Sequence, residues 1–521
     1  MKEKVNIKVQ GIKAFIDNVH LKPYFESKTT AYRRQYSGPN KGKMKWEVYN
    51  EKLYKSVPKK GFWVGIGALE WLNNHSEEIE FDIKEVVPKR GPITNSLIIR
   101  DDLKNNPKFK VNGKERFYFY EALEQCFKNP IGTVKLPTGS GKTPIQLTLA
   151  DNQMKYIGAG MILVPTVTIK DQFISSAKNF GIELIDFYDL KDLKKGECFV
   201  TTHHIICEQL QNKEKKKEIL KLLNKVDWII VDECAHATCS SWFKILLNLE
   251  NCQRCHGFSA LPVAYETETG KTFHELDSDD ARTIGILGSV IYEKSSSDLR
   301  EFLNIPEVIN VKYSWPEEHH ELSTQAWDRK RFSKSWHTIR SAVEINNDRL
   351  EFIVTIMDYC ISNGYKIATF VNSKKYANKI LEMCYNKHIA CWFGGGVAYT
   401  IDKTITPDYI KDNFGKEILG LILTSHGIEG LDFSNPLNVL LLHEGKSVRQ
   451  TVQKVGRVVR PDDKPSIVIN ICDRGCNILP KHSNIRAGDI ISEFSCKSTN
   501  CSTLSDLKEN IKIIEENFKN A

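Results

Sequence analysis

The chain has 521 residues, of which 41% are hydrophobic and 26% charged, a composition that suits folded domains and excludes a disordered protein. At roughly 100–200 residues per domain, this length predicts three or four domains. No apolar run approaches the ~18–20 residues that a membrane span needs, and Met1–Lys13 lacks the apolar core of a secretion signal. We therefore expect neither a membrane-embedded nor an exported protein, and no membrane partner.

The net charge of +8 is unevenly distributed, because residues 1–60 hold 15 Lys and Arg residues but only 5 Asp and Glu residues. A basic arm on a nearly neutral body indicates a polyanionic partner, although a lysine-rich solubilising surface would give the same composition. The 14 cysteines are scattered along the chain, so they indicate a reducing compartment and no disulfide framework.

Residues 1–105 are predicted to form a small α+β domain, which begins with the alternating apolar pattern of a strand at Val5, Ile7 and Val9. Basic and aromatic residues then interleave over 30–60, a pattern that suits phosphate contact combined with base stacking. A sheet with aromatic residues on its buried face would show the same pattern. The basic candidates for nucleic-acid contact are Arg33, Arg34, Lys43 and Lys45.

Short apolar strands alternate with helices in two further blocks, which predicts an α/β protein with two parallel-sheet domains, at 106–302 and 346–480. The charged, proline-interrupted segment 303–345 is interpreted as a linker, and 481–521 as a C-terminal helical tail whose apolar face packs on its own protein. The predicted strands are Ile131–Leu136, Tyr156–Val164, Cys198–Thr201, Trp228–Val231, Gly257–Ser259, Lys366–Val371, Leu419–Leu423, Val439–Leu442 and Ser466–Ile471.

A phosphate-binding loop is predicted between the first of these strands and the helix that follows it. A glycine-rich turn in this position exposes backbone N–H groups that bind phosphates. The Lys142 ammonium group would contact the β- and γ-phosphates of ATP, and the Thr143 hydroxyl would hold Mg²⁺. The residues of this predicted loop are Pro137, Thr138, Gly139, Ser140, Gly141, Lys142 and Thr143.

A second acidic element supports nucleotide hydrolysis. The apolar strand at 226–231 ends in Asp232 and Glu233. A carboxylate at the end of such a strand faces the γ-phosphate, so Asp232 is predicted to hold Mg²⁺ and Glu233 to activate the attacking water. An isolated acidic pair would only mark a loop, but together with the phosphate-binding loop it predicts an ATPase.

These motifs, with others in the same order, resemble those of the superfamily 2 helicases over about 116–475. Residues 232–236 resemble the DExH box, although Ala235 takes the place of the usual His and His236 comes one residue late. Residues 259–262 resemble motif III, with Leu261 in place of a Thr. The resemblance implies two tandem RecA-like domains that hydrolyse ATP with Mg²⁺ and act on nucleic acid.

Further residues take their expected roles from this resemblance. Motifs that contact the nucleic-acid backbone correspond to Pro165, Thr166, Thr202, His204, Asn372 and Thr424. The motif V residues Gly430 and Asp432 are expected at the nucleotide. Motif VI, Q-x-x-G-R-x-x-R, supplies Gln453, Arg457 and Arg460. Two guanidinium groups three residues apart on a helix share a face, so the arginines are predicted to act as arginine fingers on the γ-phosphate.

The adenine-reading position of this family is altered. The family has a Tyr-Gln pair there, and here Phe119 stands at the Gln position. Gln125 could substitute, or Phe119 or Tyr120 could stack on the base without selecting it. The sequence therefore leaves base selectivity open.

Within the family, the chain is most similar to phage UvsW-type helicases, which remodel branched DNA. The resemblance implies an ATP-dependent DNA helicase or translocase that acts on branched DNA, or on duplex DNA with a single-stranded region. We expect it to act in the cytoplasm, which is the host cytoplasm if the chain is viral. Two alternatives remain open. One is an RNA helicase or transcript-release factor, with RNA or an RNA–DNA hybrid as partner, and the other is an ATP-gated nucleic-acid clamp that does not unwind.

Overall fold

The computed structural model divides the chain into two compact units. The first comprises Met1–Leu136 and Gly141–Lys294, and the second Pro137–Ser140 and Ser295–Ala521. In parts of some strands and helices only the backbone is described. The structure describes all residues except 1–2, 35–43, 59, 70–78, 86–98, 112, 236–239, 261–277, 316–342, 345, 385–387, 394–397, 403, 425–434, 446, 461, 475–477 and 521.

The N-terminal part of the first unit contains a five-stranded sheet and a separate two-stranded ribbon. The sheet has the order β5-β6-β2-β1-β7, with β1 and β7 parallel and the other pairs antiparallel. Val5, Ile7 and Val9 are buried in its core, as the alternating pattern predicts. The strands are β1 (Glu3–Gln10), β2 (Lys13–Ile16), β3 (Glu26–Arg34), β4 (Met44–Lys52), β5 (Lys55–Val57), β6 (Gly61–Gly65) and β7 (Ile79–Glu85). Strands β3 and β4 form the ribbon.

This sheet packs closely on the rest of the first unit. A Cβ atom on Gly11, whose φ is +59°, would lie 2.2 Å from the carbonyl oxygen of Cys252, so only glycine permits this approach. Lys13 Nζ donates a hydrogen bond to the carbonyl oxygen of Leu247 at 3.2 Å. Residues 1–105 therefore have their own sheet but belong to the same compact unit as the following α/β domain.

The larger sheet of the first unit has seven parallel strands in the order β12-β13-β11-β14-β15-β10-β16. Its central strands are fully buried because helices cover both faces. A short hairpin, β8 (Lys110–Val111) and β9 (Lys114–Glu115), precedes the sheet. The strands are β10 (Ile131–Lys135), β11 (Gly160–Val164), β12 (Ile185–Asp186), β13 (Cys198–Thr202), β14 (Trp228–Asp232), β15 (Arg254–Ser259) and β16 (Val290–Glu293). The helices are α1 (Asp101–Lys104), α2 (Phe117–Lys128), α3 (Lys142–Tyr156), α4 (Val167–Asn179), α5 (His203–Gln211), α6 (Lys216–Leu223), α7 (Ser240–Leu247) and α8 (Ser278–Leu287).

The second unit is built on a nine-stranded, mostly parallel sheet in the order β21-β20-β19-β22-β18-β23-β24-β17-β25. Only the pairs that involve β20 are antiparallel. The strands are β17 (Glu307–Ser314), β18 (Ile367–Val371), β19 (Ile389–Trp392), β20 (Ala398–Thr400), β21 (Thr404–Ile405), β22 (Gly420–Thr424), β23 (Val439–Leu442), β24 (Ile467–Arg474) and β25 (Ser498–Cys501). The helices are α9 (Asn347–Ser362), α10 (Lys374–Met383), α11 (Pro407–Asn413), α12 (Val448–Val455), α13 (Ile478–Phe494) and α14 (Leu504–Lys519).

Two sequence-based boundaries need correction. The linker predicted over 303–345 is wrong for β17, which pairs in parallel with β24 through eight consecutive residue pairs from Glu307–Ile467 to Ser314–Arg474. The predicted C-terminal tail contains β25 as well as helices, and β25 is an edge strand of the same sheet. Leu507, Ile511 and Ile514 of α14 are buried in the core of the second unit, which confirms that this helix packs on its own protein.

The predicted α/β class with two parallel-sheet domains is confirmed. Each predicted apolar strand is present, with boundaries that agree or differ by up to four residues. No helix in the described part of the chain combines the length and apolar character of a transmembrane segment.

Candidate functional site

The predicted phosphate-binding loop connects β10 to α3 in the conformation that its glycines permit. Gly139 and Gly141 have φ values of +85° and +89°. A Cβ atom on Gly141 would lie 2.8 Å from Cζ of the buried Phe119, so this position favours glycine for space as well as conformation. The Ser140 hydroxyl donates to the carbonyl oxygen of Pro137 at 2.7 Å. The turn is thereby fixed without using the backbone N–H groups at the start of α3, which suit an anion.

Lys142 is the first residue of α3 and is only 9% exposed. Its Nζ donates to the carbonyl oxygen of Leu136 at 3.4 Å and lies 4.0 Å from Glu233 Oε1. The ammonium group is therefore held at the end of the loop, beside the acidic pair that follows β14. Thr143, the next residue of the helix, is half-buried.

Asp232 ends β14 and is buried. Burial and the neighbouring Glu233 carboxylate raise the pKa of Asp232 to about 6. Gln146 Nε2 donates to Asp232 Oδ1 at 2.6 Å, which holds the carboxylate in place. Gln146 lies one helical turn after Lys142, so both side chains project from the same face of α3 toward β14. Sequence reasoning missed Gln146, although its i+4 spacing from Lys142 is a usable signal.

Glu233 has a left-handed backbone with φ of +45°, which is unusual for a residue other than glycine, asparagine or aspartate. Such a conformation costs about 1–2 kcal/mol. Ser259 Oγ, at the end of β15, donates to Glu233 Oε2 at 3.3 Å. The strained turn places the carboxylate above the carboxyl end of the sheet, where Lys142 and Ser259 contact it.

The two residues after Glu233 are small and lie in a closely packed environment. Cys234 and Ala235 are buried, and a Cβ atom on Gly257 of β15 would lie 2.9 Å from Cys234 Sγ. His236, Leu261 and Pro262, from the altered DExH box and motif III, lie outside the described residues.

The acidic pair fits a divalent cation. Asp232 is a buried carboxylate whose pKa is raised by burial and by Glu233, and Gln146 Oε1 beside it is buried without a hydrogen-bond partner in the described part of the chain. Mg²⁺ is usually bound by one or two protein side chains together with substrate phosphates and water. Thr143 and Asp232 suit that mode. The described residues contain no cluster of three or more His, Cys, Asp or Glu that could form a protein-only metal centre.

Phe119, at the adenine-reading position of the family, has a structural role. This side chain is fully buried, with its ring 5.1 Å from those of both Phe109 and Tyr118, so it cannot stack on a nucleotide base. Instead it packs beneath Gly141, where its Cζ lies 2.8 Å from the position of a Cβ atom. The Gln125 side chain accepts from Asn129 Nδ2 at 3.4 Å, near the far end of α2. Phe119 is therefore not available to a nucleotide base.

Two predicted backbone-contact motifs lie at the carboxyl edge of the seven-stranded sheet, after the adjacent strands β11 and β13. Thr166 caps α4 by accepting from Ile169 N at 3.3 Å, and it follows the buried Pro165. Thr202 caps α5 in the same way but is only 2% exposed. His204, in the first turn of α5, is exposed. Thr166 and His204 are therefore accessible to a ligand, whereas the Thr202 side chain is buried.

In the second unit, Asn372 follows β18 and is exposed. Its backbone N and its Nδ2 both donate to Glu444 Oε2, at 3.1 and 2.7 Å. Thr424 is buried, and its hydroxyl donates to the carbonyl oxygen of Phe393 at 2.9 Å. Gly430 and Asp432 lie outside the described residues.

The prediction that Arg457 and Arg460 share a helix face is wrong. Helix α12 carries Gln453 but ends at Val455, and Gly456 is its C-cap. The chain continues as a tight turn, in which Arg457 N donates to the carbonyl oxygen of Lys454 at 3.1 Å. Val458 and Val459 are then buried as the chain leaves the helix. Both arginine side chains are half-buried.

The basic candidates near the N-terminus lie on the β3–β4 ribbon. Arg33 pairs in register with Lys45, and Arg34 with Met44. Lys43, which precedes β4, lies outside the described residues. The ribbon therefore brings basic residues from two strands together in register.

A family model and two relatives are similar to this chain in sequence. Residues 109–264 match the family model described as the res subunit of type III restriction enzymes. A helicase candidate of Sulfolobus islandicus filamentous virus (isolate Iceland/Hveragerdi) is 25% identical over 341 residues, which cover 63% of this chain and 58% of that relative. The DNA 3′-5′ translocase XPB2 of Sulfurisphaera tokodaii is 24% identical over 406 residues, covering 71% of this chain and 84% of the relative.

Two solved structures are similar in fold. Dbp5 of S. cerevisiae, bound to RNA and ADP BeF3, has a TM-score of 0.52 and 14% identity, and the match covers 80% of this chain and 98% of Dbp5. T4 UvsW has a TM-score of 0.40 and 15% identity, covering 96% of this chain and all of UvsW. The Dbp5 match supports the tandem parallel-sheet fold, whereas a TM-score of 0.40 carries no argument about subfamily.

Proposed function

We propose that the chain is a superfamily 2 helicase, which hydrolyses ATP with Mg²⁺ and uses the energy to translocate on DNA and to unwind or remodel it; the family match over residues 109–264 and the helicase and translocase relatives support this proposal. The observation that carries the proposal is the constellation at the carboxyl edge of the seven-stranded sheet. There Lys142, Gln146, Asp232, Glu233 and Ser259 are linked by contacts of 2.6 to 4.0 Å. A charged lysine beside two carboxylates at this edge suits a nucleoside triphosphate.

Each residue of this constellation has a distinct role in the proposal. The loop from Pro137 to Thr143 binds the phosphates, and Lys142 neutralises the β- and γ-phosphate charge. Bound Mg²⁺, held by Thr143 and Asp232, would supply charge neutralisation at the phosphates. Glu233 orients and deprotonates the attacking water, and Ser259 holds its carboxylate.

We also propose roles for residues of the second unit. We propose that Arg457 and Arg460 stabilise negative charge that develops on the γ-phosphate, as arginine fingers do. Gln453, Gly430 and Asp432 are assigned to the nucleotide on the resemblance of their motifs.

The nucleic-acid track is proposed to follow the carboxyl edges of the sheets, with contacts from Thr166, His204 and Asn372. The buried Pro165, Thr202 and Thr424 would act only through the backbone that they position. Arg33, Arg34, Lys43 and Lys45 on and beside the β3–β4 ribbon would contact a second nucleic-acid segment. Branched DNA is proposed because such a separate contact suits a second arm. Action in the cytoplasm, and in the host cytoplasm if the chain is viral, is proposed on the viral relative.

DNA is favoured over RNA because the relative XPB2 is named a DNA translocase. The RNA helicase alternative is supported by Dbp5, which was solved with RNA but shows similarity of fold alone. The clamp alternative is favoured by Ala235 and Leu261, which depart from the coupling motifs of the family.

The deciding experiment measures ATP turnover by the full chain with single-stranded, duplex, forked and four-way DNA and with matched RNA. Strand displacement is measured on the same substrates. We expect stimulation of turnover by DNA, most strongly by forked or four-way DNA. Lys142→Ala is the control and should abolish turnover. Absence of ATP turnover with every nucleic acid would refute the ATPase proposal, RNA-specific turnover would favour the RNA alternative, and turnover without strand displacement or translocation would favour the clamp.

A further inference from the structure

A buried arginine of the C-terminal region ties together three segments of the second unit. Arg486 lies on α13 and is 3% exposed. Its Nε donates to Asn470 Oδ1 at 3.0 Å, its Nη2 to the carbonyl oxygen of Ile471 at 3.1 Å, and its Nη1 to the carbonyl oxygen of Gly445 at 2.8 Å. One guanidinium group therefore connects α13, β24 and the loop after β23. No sequence motif marks this residue, which lies in the segment interpreted from the sequence as a tail.

The third contact is the important one, because of where Gly445 lies. This residue has a left-handed backbone with φ of +85° and comes two residues before Ser447. Ser447 caps α12 by accepting from Gln450 N at 3.5 Å. Helix α12 carries Gln453 and leads directly into Arg457 and Arg460. Arg486 thus holds the start of the element that presents all three motif VI residues.

The environment of the guanidinium group makes the contact specific. Asn470, on β24, donates from Nδ2 to the carbonyl oxygen of Ser483 at 3.0 Å and to Asn310 Oδ1 at 2.8 Å, so the acceptor for Arg486 is itself fixed. Burial lowers the pKa of Arg486 to about 10, and burial with the nearby Arg486 charge lowers the pKa of Lys454 on α12 to about 8. Lysine has three donors on a single atom and cannot reach three acceptors that are spread around a planar fork.

We propose that Arg486 is a positioning residue for ATP hydrolysis, which fixes the entry of α12 and so the placement of Gln453, Arg457 and Arg460. This inference rests on the proposed ATPase function. It extends the working part of the second unit to α13, beyond the last resembling motif. Arg486 itself contacts neither nucleotide nor nucleic acid in this assignment.

The test compares Arg486→Lys and Arg486→Met with Arg474→Gln, an exposed arginine at the end of β24, as the matched control. Ser447→Ala removes the cap at the start of the same helix. This variant is used if Arg486→Met fails to fold. Steady-state ATP turnover with DNA gives kcat and KM for each variant. Hydrogen exchange over 445–460 reports the order of α12 directly and does not depend on turnover.

We expect kcat to fall about 10- to 100-fold in Arg486→Met, because small displacements of catalytic groups have effects of this size. The KM for ATP should change less than about threefold, since the phosphate-binding loop is untouched. Arg486→Lys should recover part of the kcat loss. Hydrogen exchange over 445–460 should rise in Arg486→Met, while the strands of the second unit stay protected. The control should match wild type in every measurement.

Unchanged exchange over 445–460 in folded Arg486→Met, or unchanged kcat in a wild-type background that hydrolyses ATP, would overturn this inference and leave the proposed function intact. Absence of turnover by the wild-type chain would overturn the proposed function itself. If the wild-type chain shows no turnover but exchange rises in Arg486→Met, Arg486 has a structural role only, and its assignment to hydrolysis is overturned as well.

Discussion

Asp232→Asn is predicted to stabilise the chain while abolishing ATP hydrolysis. The Asp232 carboxylate is buried beside Glu233, and its pKa is raised from 3.8 to about 6. A charged group in this setting opposes folding at neutral pH, because the unfolded chain solvates the carboxylate better. Asparagine has nearly the same shape and carries no charge. Its amide can still accept from Gln146 Nε2, and Gln146 Oε1 is available as an acceptor within the described structure.

The magnitude follows from the pKa difference. The folded-state pKa lies above the unfolded value, so between pH 3.8 and about 6 the folded state binds more protons. Stability of the wild-type chain therefore falls as pH rises through that window, and the full penalty is present above it. A difference of about two pKa units lowers the free energy of unfolding by about 3 kcal/mol at pH 7.5 and by about half as much at pH 5. The advantage of Asp232→Asn should thus shrink by about half between these two pH values.

Urea unfolding in EDTA without nucleotide measures this difference, and hydrogen exchange of the β14 amides assigns the transition to the first unit. Asp189→Asn, at an exposed carboxylate of the same unit, is the control and should show no comparable pH-dependent gain. Added Mg²⁺ and ATP should reverse the order, because ligand binding stabilises only the chain that binds both. An Asp232→Asn chain that is less stable than wild type at pH 7.5, or an advantage that does not shrink at pH 5, would refute the reasoning.

Three further outcomes are expected from the same site. Glu233→Gln should bind ATP and Mg²⁺ but lose about 10²–10⁴-fold in kcat, because it removes the base for the attacking water and keeps the metal ligand; single-turnover measurements with near-normal rates would contradict that role. Arg460→Ala should lose about 10³–10⁵-fold in kcat with a smaller change in the Kd for ATP, and a loss of affinity alone, measured by equilibrium binding, would reassign the arginine to nucleotide positioning. Because Phe119 is buried and provides no amide, the kcat/KM values for ATP and GTP should agree within about tenfold. Sites that read a polar group discriminate by about 10⁴–10⁵-fold, so a thousandfold preference for ATP would show that another residue reads the base.

The structure also changes the design of any test of the N-terminal region. Gly11 and Lys13 pack against Cys252 and Leu247 of the same compact unit. Deletion of residues 1–105 would expose this interface and so confuse loss of nucleic-acid contact with loss of stability. Substitutions on the β3–β4 ribbon, at Arg33 and Lys45, test the contact and leave the packing of Gly11 and Lys13 in place.

The sequence by itself determined the elements whose signal is local. A glycine-rich turn between an apolar strand and a helix defined the loop that ends at Lys142, and an apolar strand that ends in two carboxylates defined Asp232 and Glu233. Apolar runs located the central strands of both large sheets, and hydrophobic periodicity located the buried face of α14, because both patterns can be recognised within one segment.

Tertiary structure decided the features that depend on which segments become neighbours. Strand order places β14 and β15 side by side, which brings Ser259 to Glu233, and packing of α3 on the sheet brings Gln146 to Asp232. The same long-range pairing makes β17 a strand of the second sheet. The residues after Gly456 fold into a turn because Val458 and Val459 find buried positions outside the helix. Burial and hydrogen-bond partners are properties of pairs of segments distant in sequence, so no local pattern could specify them.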